Sequence, residues 1–301
     1  MIEKDREFLQ AYLQDRRNLV EEALQEYLAG LAGEREDIYR AIHYSVFAGG
    51  KRIRPILCLA AVDALGGNLA VAMPVACALE FIHTYSLIHD DLPAMDDDDL
   101  RRGKPTSHKV FGEALAILAG DGLLTEAFVL LSRAEKIMLP AQKRLNIIHE
   151  IAYAAGVSGM VGGQVLDILC EKIAPDENIL SEIHRRKTGA LIVASLNAAS
   201  IICGATKSRK SALSDYGLNV GMAFQIADDI LNVTGDSLLL GKETGSDAAR
   251  GKMTYPSVLG IEEAKRKLHQ HVEEAIGSLA DFDERARPLR LIARYIEERQ
   301  K

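Results

Sequence analysis

"TGALIVASLNAASIICGA", residues 188–205, is apolar on nearly every face of the helix that its spacing predicts. A surface helix keeps one polar side, so a helix without a polar side is expected to be enclosed by other helices. The run "GEALAILAGDGLLTEAFVLL", residues 112–131, has the same character. Two such segments in one chain predict an all-α protein, a single large bundle in which outer helices surround apolar ones.

Helical spacing of apolar residues continues along almost the whole chain, and strict alternation of apolar and polar residues is nearly absent. Alternation is typical of a half-buried strand, whereas recurrence at three and four positions is typical of a helix. The interruptions are short and rich in glycine or proline, as at Gly49-Gly50 and Leu139-Pro140. None resembles an interdomain linker, so residues 1–301 are expected to form one domain.

The composition is that of a globular protein, with 301 residues, 48 % of them apolar, and a net charge of −7. This charge argues against general nucleic-acid binding. The cysteines are far apart and form no C-x-x-C spacing, which indicates reduced core residues. The N-terminus "MIEKDREFLQ" lacks a signal core, and the longest apolar run, from Ala190, is short for a bilayer span. We therefore expect a cytoplasmic protein without a membrane span.

An acidic run, "HDDLPAMDDDDLRRG", occupies residues 89–103 and follows the helical stretch "CALEFIHTYSLIHDD". Pro93 is expected to end that helix just beyond the first aspartate pair. The C-terminal end of a helix disfavours anions, so carboxylates crowded there indicate a bound cation. Mg²⁺ fits best, because the calcium-loop pattern is missing and Mg²⁺ uses one or two carboxylates plus substrate phosphate. A solvated acidic loop remains the alternative for this run alone.

A second pair of aspartates lies in "FQIADDILNVTGD", residues 224–236. Asp228 and Asn232 are four residues apart and share one side of the predicted helix. Burying unpaired carboxylates costs several kcal/mol, so two such pairs on apolar helices predict metal ions between them.

Basic residues collect beside the predicted loops of this acidic protein. Guanidinium and ammonium groups bind phosphate oxygens, so together with Mg²⁺ they predict a pocket for diphosphates, although each one alone is usually surface charge. They are Lys51, Arg52, Arg54, Arg101, Arg102, Lys187, Lys242 and Lys252. His83 lies seven residues before Asp90, hence on nearly the same helical face, and could donate to a second anion.

Six segments, in this order, resemble the trans-prenyltransferases, or polyprenyl diphosphate synthases, and among them the bacterial short-chain farnesyl diphosphate synthases. The segments are "GGKRIRP", "DDLPAMDDDDLRRGKPTSH", "GGQVLD", "KTGAL", "FQIADDILN" and "GK…GKMTYP". The resemblance implies an all-α barrel around a central cavity, usually a homodimer. It also implies Mg²⁺ as the cofactor, roughly three ions per active site.

The resemblance assigns roles to individual residues. Metal ligands would be Asp90, Asp91, Asp96 and Asp228. Residues that contact the allylic diphosphate would be Arg101, Lys187, Thr188, Gln225, Lys242 and Lys252. Residues that bind isopentenyl diphosphate would be Lys51, Arg54, His83 and Arg102.

The implied reaction is the head-to-tail condensation of isopentenyl diphosphate with dimethylallyl and geranyl diphosphate, giving farnesyl diphosphate. The allylic ester ionises, and the carbocation is held in an apolar cavity away from water. Lys187, Thr188 and Gln225 would be the catalytic residues, and the last two can turn oxygen dipoles toward the cation. Gln164 and Asp167 would support this wall.

Product length is expected to depend on the helix that precedes the first acidic run. Ser86 and Tyr85 lie four and five residues before Asp90, roughly 6 and 7.5 Å along the helix axis. Tyr85 would form the floor of the cavity, as in the bacterial farnesyl type, unless it is ordinary core packing. A geranylgeranyl diphosphate synthase and a non-catalytic prenyltransferase subunit remain alternatives. A terpene cyclase would have no use for the second anion site.

Asn232 departs from the family pattern, which usually has aspartate at this position. Asparagine keeps an acceptor oxygen but has no negative charge. We therefore expect weaker binding of one Mg²⁺ ion without loss of the reaction.

Overall fold

The structure, a computed structural model, describes residues 1–31, 33, 36–133, 137–170, 176–234 and 252–298. Within these ranges the chain is almost entirely helical. The α-helices are α1 (Glu3–Ala29), α2 (Glu36–Val46), α3 (Ile53–Ala64), α4 (Leu69–Asp90), α5 (Ser107–Phe111), α6 (Glu113–Ser132), α7 (Ala141–Ala155), α8 (Met160–Leu169), α9 (Glu177–His184), α10 (Ala190–Cys203), α11 (Lys207–Thr234), α12 (Tyr255–Leu259), α13 (Ile261–Ser278) and α14 (Arg287–Glu298).

Three short elements complete the described secondary structure. A π-helical segment, Arg185–Gly189, connects α9 to α10, and a 3₁₀ turn, Glu284–Ala286, precedes α14. Two antiparallel strands, β1 (Leu100–Arg101) and β2 (Lys104–Pro105), form a small hairpin after α4. The prediction of an all-α bundle is confirmed.

The interior is built from α3, α4 and α10, most of whose residues are buried. Helix α4 packs against α3 and α6, α10 packs against α3, α7 and α11, and α11 packs against α13. This arrangement explains why residues 188–205 carry no polar face, because neighbours cover α10 on several sides. The expectation for this segment is confirmed.

Helix α6 differs from that expectation. Its Ala116, Ala119 and Leu123 are fully buried, but Ile117 and Leu118 are 43 % and 55 % exposed. The prediction that residues 112–131 are enclosed within the chain is therefore wrong for one face. A helix that is apolar on all sides is expected to be buried, but part of its surface can be buried by another molecule instead of by the same chain.

Local chemistry sets the ends of α4. Asn68 caps its start, where Oδ1 accepts a hydrogen bond from the backbone nitrogen of Ala70 at 2.9 Å. The helix ends at Asp90, and Asp91 is its C-cap, three residues before Ala94 and two before Pro93. The first acidic run therefore begins at a helix C-terminus, as Pro93 predicted.

Three helical stretches are long and apolar enough to cross a bilayer, judged by length and composition alone: Leu69–Asp90, Glu113–Ser132 and Ala141–Leu169. In the first, 72 % of the apolar window is buried inside the bundle, which accounts for its hydrophobicity by packing. In the other two the buried share is 39 % and 33 %. Their remaining apolar surface is compatible with a membrane or with a second protein surface, and the expected absence of a membrane span stays a prediction.

Candidate active site

The main cavity, of about 640 Å³, brings both acidic motifs together. Its walls come from α4, the loop after it, α8, the π-helical segment and α11. Asp90 lines the cavity from the end of α4, Asp96 from the loop that follows, and Asp228 from α11. Residues separated by more than a hundred positions therefore line one space, which is the arrangement expected for ions shared between two motifs.

The first motif folds back on itself after α4. The backbone nitrogen of Asp96 donates to the backbone oxygen of Asp90 at 2.9 Å, so both side chains stay near the helix end. Burial raises the pKa of Asp90, and the charge of Asp96 adds to this effect, while Lys187, Arg101 and Lys252 oppose it. A cation at this position would offset the repulsion between these two partly buried carboxylates.

Two lysines form ion pairs with carboxylates at or near this motif. Nζ of Lys252 lies 2.7 Å from Oδ1 of Asp96, and Nζ of Lys187 lies 2.6 Å from Oδ2 of Asp167. Burial by itself would lower the pKa of Lys187, but the carboxylates of Asp167 and Asp90 raise it overall. The ammonium group of Lys187 is thus held charged at the cavity wall, within reach of an anion.

Asp91 is placed differently from Asp90. It is buried and does not line the main cavity, and its Oδ1 accepts a hydrogen bond from Nε of Arg101 at 2.5 Å. Burial lowers the pKa of Arg101, but the bond to Asp91 and the charge of Asp98 raise it overall. The structure therefore shows Asp91 orienting a guanidinium that lines the cavity, and its role as a metal ligand remains a prediction.

The small hairpin explains how adjacent arginines reach different surroundings. Arg102 and Gly103 form its two-residue turn, with φ of 55° and 75°, which matches the tight turn favoured between antiparallel strands. The turn directs Arg101 toward Asp91, whereas Nη1 of Arg102 donates to the backbone oxygen of Gly49. Arg102 thereby reaches the "GGKRIRP" segment.

A second cavity, of about 510 Å³, adjoins the main one. The two share part of their lining, so they are neighbouring compartments of one site: Arg54, His83, Arg102, Thr188 and Phe224. Lys51 lines only the second cavity. All four residues predicted to bind isopentenyl diphosphate are thus brought together around it.

The second cavity is strongly cationic. Burial lowers the pKa of Arg54 to about 10, and the charge of Arg102 contributes to this shift. Burial and the same two arginines hold the pKa of His83 well below its ordinary value, so the imidazole is neutral near pH 7. Such a compartment is suited to a polyanion, which would offset the mutual repulsion of these guanidinium groups.

Arg52, which the sequence grouped with the phosphate-binding residues, lines the second cavity and also has a structural role. Its backbone is left-handed, with φ of 51°, and its guanidinium is buried. It donates to Glu80 at 2.7 Å, to Glu21 at 2.8 Å and to the backbone oxygen of Val46 at 2.6 Å. Since its donors are bound by protein, Arg52 ties α1, α2 and α4 to the start of α3.

The π-helical segment places Thr188 at the junction of the two cavities. The hydroxyl of Thr188 donates to Oε1 of Gln225 on α11 at 2.9 Å. A side chain at Gly163 would collide with the backbone nitrogen of Lys187, so this glycine permits the close approach of α8. The glycines of "GGQVLD" are thereby explained by packing, while Gln164 lines the cavity and Asp167 binds Lys187.

Tyr85 and Ser86 both line the main cavity, near the end of α4 that carries Asp90. Tyr85 is only 7 % exposed, and its ring meets that of His89 edge to face, with 5.7 Å between centroids. An aromatic ring held on two sides is a firm boundary for an apolar chain.

Several apolar wall residues were not singled out from the sequence. They are Met95, Met160, Val161, Val165, Ile168 and Phe224. Four of them are on α8, and Val161, Val165 and Ile168 recur there at four- and three-residue spacing, a signal that is shared by every amphipathic helix. Lys242 lies outside the described residues. Asn232 is on α11 and is not part of the cavity lining.

The carboxylates present fit a divalent ion that is completed by substrate. Among the described residues, no three acidic, histidine or cysteine side chains are close enough to hold a metal by themselves. Mg²⁺ commonly uses one or two carboxylates and fills its other positions with water and phosphate oxygens. Asp90, Asp96 and Asp228, which all line the main cavity, would supply such oxygens.

Comparison with known proteins identifies the family of this chain. Residues 35–290 match the family model described as polyprenyl synthetase. A farnesyl diphosphate synthase of Geobacillus stearothermophilus is 48 % identical over 91 % of this chain and 92 % of its own length. A geranylgeranyl diphosphate synthase of Cyanophora paradoxa is 45 % identical over 97 % of this chain and 96 % of its own. The crystal structure of an FPP/GFPP synthase from Zymomonas mobilis superposes with a TM-score of 0.84 and 38 % identity, covering 98 % and 99 % of the two chains.

The fold and the paired acidic motifs thus define an all-α isoprenoid synthase, and the chain belongs to the polyprenyl synthetase family. More particularly, it is a prenyltransferase that elongates isoprenyl diphosphates, in a family that depends on divalent metal. The resemblance inferred from the sequence motifs is confirmed.

Proposed function

We propose that this enzyme condenses isopentenyl diphosphate with dimethylallyl and then geranyl diphosphate and releases farnesyl diphosphate. The observation that carries the proposal is the continuity of two compartments, one lined by both acidic motifs and the other by arginines and His83. Two anionic substrates require two such sites side by side, with their reacting carbons at the boundary.

The main cavity supplies the groups for the allylic diphosphate. Arg101 and Lys252 bind Asp91 and Asp96 of the first motif, and Lys187 binds Asp167. Mg²⁺, bound by Asp90, Asp96 and Asp228 together with the substrate, would add charge neutralisation of the departing diphosphate. The basic side chains orient that leaving group so that the C–O bond can ionise.

The boundary between the cavities is where the carbocation would be stabilised. Thr188 lines both cavities, and its hydroxyl bond to Gln225 fixes the oxygen atoms of both side chains. The apolar wall from α8 and Phe224 excludes water, which would otherwise capture the cation. After the double bond of isopentenyl diphosphate attacks, the proton lost from the new chain passes to the released diphosphate.

The second cavity would bind isopentenyl diphosphate through Lys51, Arg54 and Arg102. Neutral His83 contributes a hydrogen bond to the diphosphate rather than a positive charge. The arrangement separates the two diphosphates, one bound with metal and one bound with guanidinium groups.

A buried floor at Tyr85 favours farnesyl diphosphate as the main product. The ring is held between the core and His89, which limits the depth available to the growing chain. The competing candidate is geranylgeranyl diphosphate, because relatives with either name match this chain at similar identity. A non-catalytic subunit is disfavoured by the intact set of Asp90, Asp96 and the surrounding basic residues.

We propose a homodimer, which would account for the exposed apolar side chains of α6 and α7, and a cytoplasmic location. Ile117 and Leu118 on α6 are exposed, as are Leu145 and Tyr153 on α7. A second copy would cover them by pairing the same helices about a twofold axis. Sedimentation of the purified protein at micromolar concentration tests this, and a monomer would contradict it.

Product analysis tests the proposed reaction. The purified enzyme is incubated with Mg²⁺, isopentenyl diphosphate and either dimethylallyl or geranyl diphosphate, and the chain length of the product is read by mass spectrometry. We expect farnesyl diphosphate from both starters and no turnover when a chelator removes the metal. Geranylgeranyl diphosphate as the main product would overturn the product assignment, and absence of elongation would overturn the reaction itself.

A further inference from the structure

Asp229 follows Asp228 in the sequence but does not line the main cavity. Its side chain is buried, and Oδ2 accepts a hydrogen bond from the backbone nitrogen of Tyr255 at 2.9 Å. Successive helical residues point about 100° apart, so two adjacent aspartates necessarily have different surroundings. The surroundings of Asp229 are protein.

His184 and the side chain of Tyr255 also belong to this buried contact. Nε2 of His184 lies 3.4 Å from Oδ2 of Asp229, and the His184 ring stacks on the ring of Tyr255 with 5.6 Å between centroids. The hydroxyl of Tyr255 is 2.9 Å from the hydroxyl of Ser181. Helices α9, α11 and α12 therefore meet at one point, and we call Asp229, His184 and Tyr255 the anchor.

Each segment that contributes to the anchor has, within three positions, a residue that lines the main cavity or contacts a residue of its lining. Asp228 adjoins the anchor on α11, Lys187 follows His184 by three residues, and Lys252 precedes Tyr255 by three. Lys252 reaches across 156 positions of sequence to Asp96, with 2.7 Å between Nζ and Oδ1. The hydrogen bond between the backbone of Tyr255 and Asp229 lies only three residues from Lys252, so it restricts where the Lys252 ammonium group lies.

A capping box orders the start of α12, the helix that contains Tyr255. Thr254 caps the helix: its Oγ1 accepts from the backbone nitrogen of Ser257, and its own backbone nitrogen donates to the hydroxyl of Ser257 at 2.9 Å. Pro256 restricts the backbone at the second helical position. The capping box orders the chain from Thr254 onward, and Lys252 is joined to it through one intervening residue, Met253.

We propose that Asp229 is a positioning residue whose hydrogen bond to the backbone of Tyr255 holds Lys252 opposite Asp96 for the allylic diphosphate. The inference rests on the proposed function, in which Lys252 contacts that diphosphate. It separates the roles of the paired aspartates of the second motif: Asp228 faces substrate and metal, whereas Asp229 acts through Lys252.

Calorimetric titration with geranyl diphosphate in the presence of Mg²⁺, without isopentenyl diphosphate, measures this binding without turnover. We expect Asp229→Ala and Lys252→Ala each to weaken geranyl diphosphate binding about tenfold, as for loss of one hydrogen bond to a charged group. The double variant should bind no more weakly than the weaker single variant, because both remove the same contact. Losses that multiply in the double variant would overturn the proposal.

Asp229→Asn distinguishes positioning from metal binding. The amide oxygen can still accept from the backbone of Tyr255, so this variant should bind geranyl diphosphate within about threefold of the parent. Its half-saturating Mg²⁺ concentration should match that of the parent. A rise in that concentration shared by Asp229→Asn and Asp229→Ala would overturn the proposal by making Asp229 a metal ligand.

Asp63 offers a matched control, since it is a partly buried carboxylate that ties α1 to α3 through Tyr12 and Arg16. Asp63→Ala should lower the melting temperature and leave geranyl diphosphate binding unchanged. If it weakens binding as much as Asp229→Ala does, the loss reflects general destabilisation and the proposal is wrong. A parent enzyme that binds geranyl diphosphate but does not elongate it would refute the proposed function and leave the anchor intact.

Discussion

The hydroxyl of Thr188 donates to Oε1 of Gln225 at 2.9 Å, which links the π-helical segment to α11 at the junction of the two cavities. A π-helical turn has one residue more per hydrogen-bonded loop than an α-helix and re-aims the side chains that follow, often at functional sites. The contact therefore fixes two oxygen atoms where positive charge would develop.

Replacing Thr188 by valine keeps the shape of the side chain and removes its hydroxyl. We expect kcat to fall about tenfold, because Gln225 loses the donor that orients it and one oxygen dipole is lost. Steady-state kinetics with geranyl and isopentenyl diphosphate measure this. Thr188→Ser keeps the hydroxyl and should retain most of the activity; a valine variant as fast as the parent would contradict the role.

Removing a carboxylate from either acidic motif should nearly abolish turnover. Asp90→Ala and Asp228→Ala are each expected to lower kcat about a hundredfold or more, since each removes a cavity-lining carboxylate that we propose as a metal ligand. Asp99→Ala is the matched control, because Asp99 belongs to the same run but is exposed and paired with Lys109 at 2.7 Å. Near-parent rates for either cavity variant would remove that residue from the metal site.

Shortening the floor residue should lengthen the product. Tyr85→Ala is expected to shift the products toward geranylgeranyl diphosphate or longer, since the ring that ends the cavity is gone. Mass spectrometry of the extracted products gives the chain-length distribution. Tyr85→Phe keeps the ring and should preserve the parent distribution, whereas an alanine variant with unchanged products would reject the floor.

Asn232 allows a test of metal affinity in the second motif. Asn232→Asp adds a negative charge one helical turn after Asp228, so we expect half-maximal activity at a lower Mg²⁺ concentration. A magnesium titration of initial rates compares the variant with the parent. Identical Mg²⁺ dependence would discard the idea that asparagine weakens binding at this position.

His83 should make the fold less stable in mild acid. Burial, together with the nearby arginines, holds the pKa of His83 well below its ordinary value of about 6.5. Unfolding then takes up a proton once the pH falls below that ordinary value, so the free energy of unfolding decreases as pH falls from about 6.5 toward the lowered pKa. Urea unfolding between pH 8 and pH 5 measures this slope. His83→Asn should have a shallower slope, and equal slopes would show that other groups cause the loss.

Much of the site was predictable because the motif residues are close in sequence. Lys51 and Arg54 are three residues apart, and Asp90 and Asp96 lie on either side of Pro93. The proximity of the two residues in each pair follows from local geometry. The pairing of the two acidic motifs was also predictable, since buried carboxylates on apolar helices need a shared counter-charge.

The sequence did not show how the roles of neighbouring charged residues differ. Arg52 and Arg54 have the same charge and lie two positions apart. The first binds Glu80 and Glu21 and lines only the second cavity, whereas the second lines both cavities. Asp90 and Asp91 differ in the same way. Which partner a charged side chain meets depends on helices that approach from distant parts of the chain.

By itself the sequence determined that this protein is an all-α bundle with a buried α10 and that α4 ends at its aspartates, because helical periodicity, capping and proline act over a few residues. Only the tertiary structure decided that Lys252 reaches Asp96, that Asp229 holds Tyr255 and that one face of α6 stays uncovered. These depend on contacts between residues up to 156 positions apart, which are fixed by how whole helices pack and which no local pattern encodes.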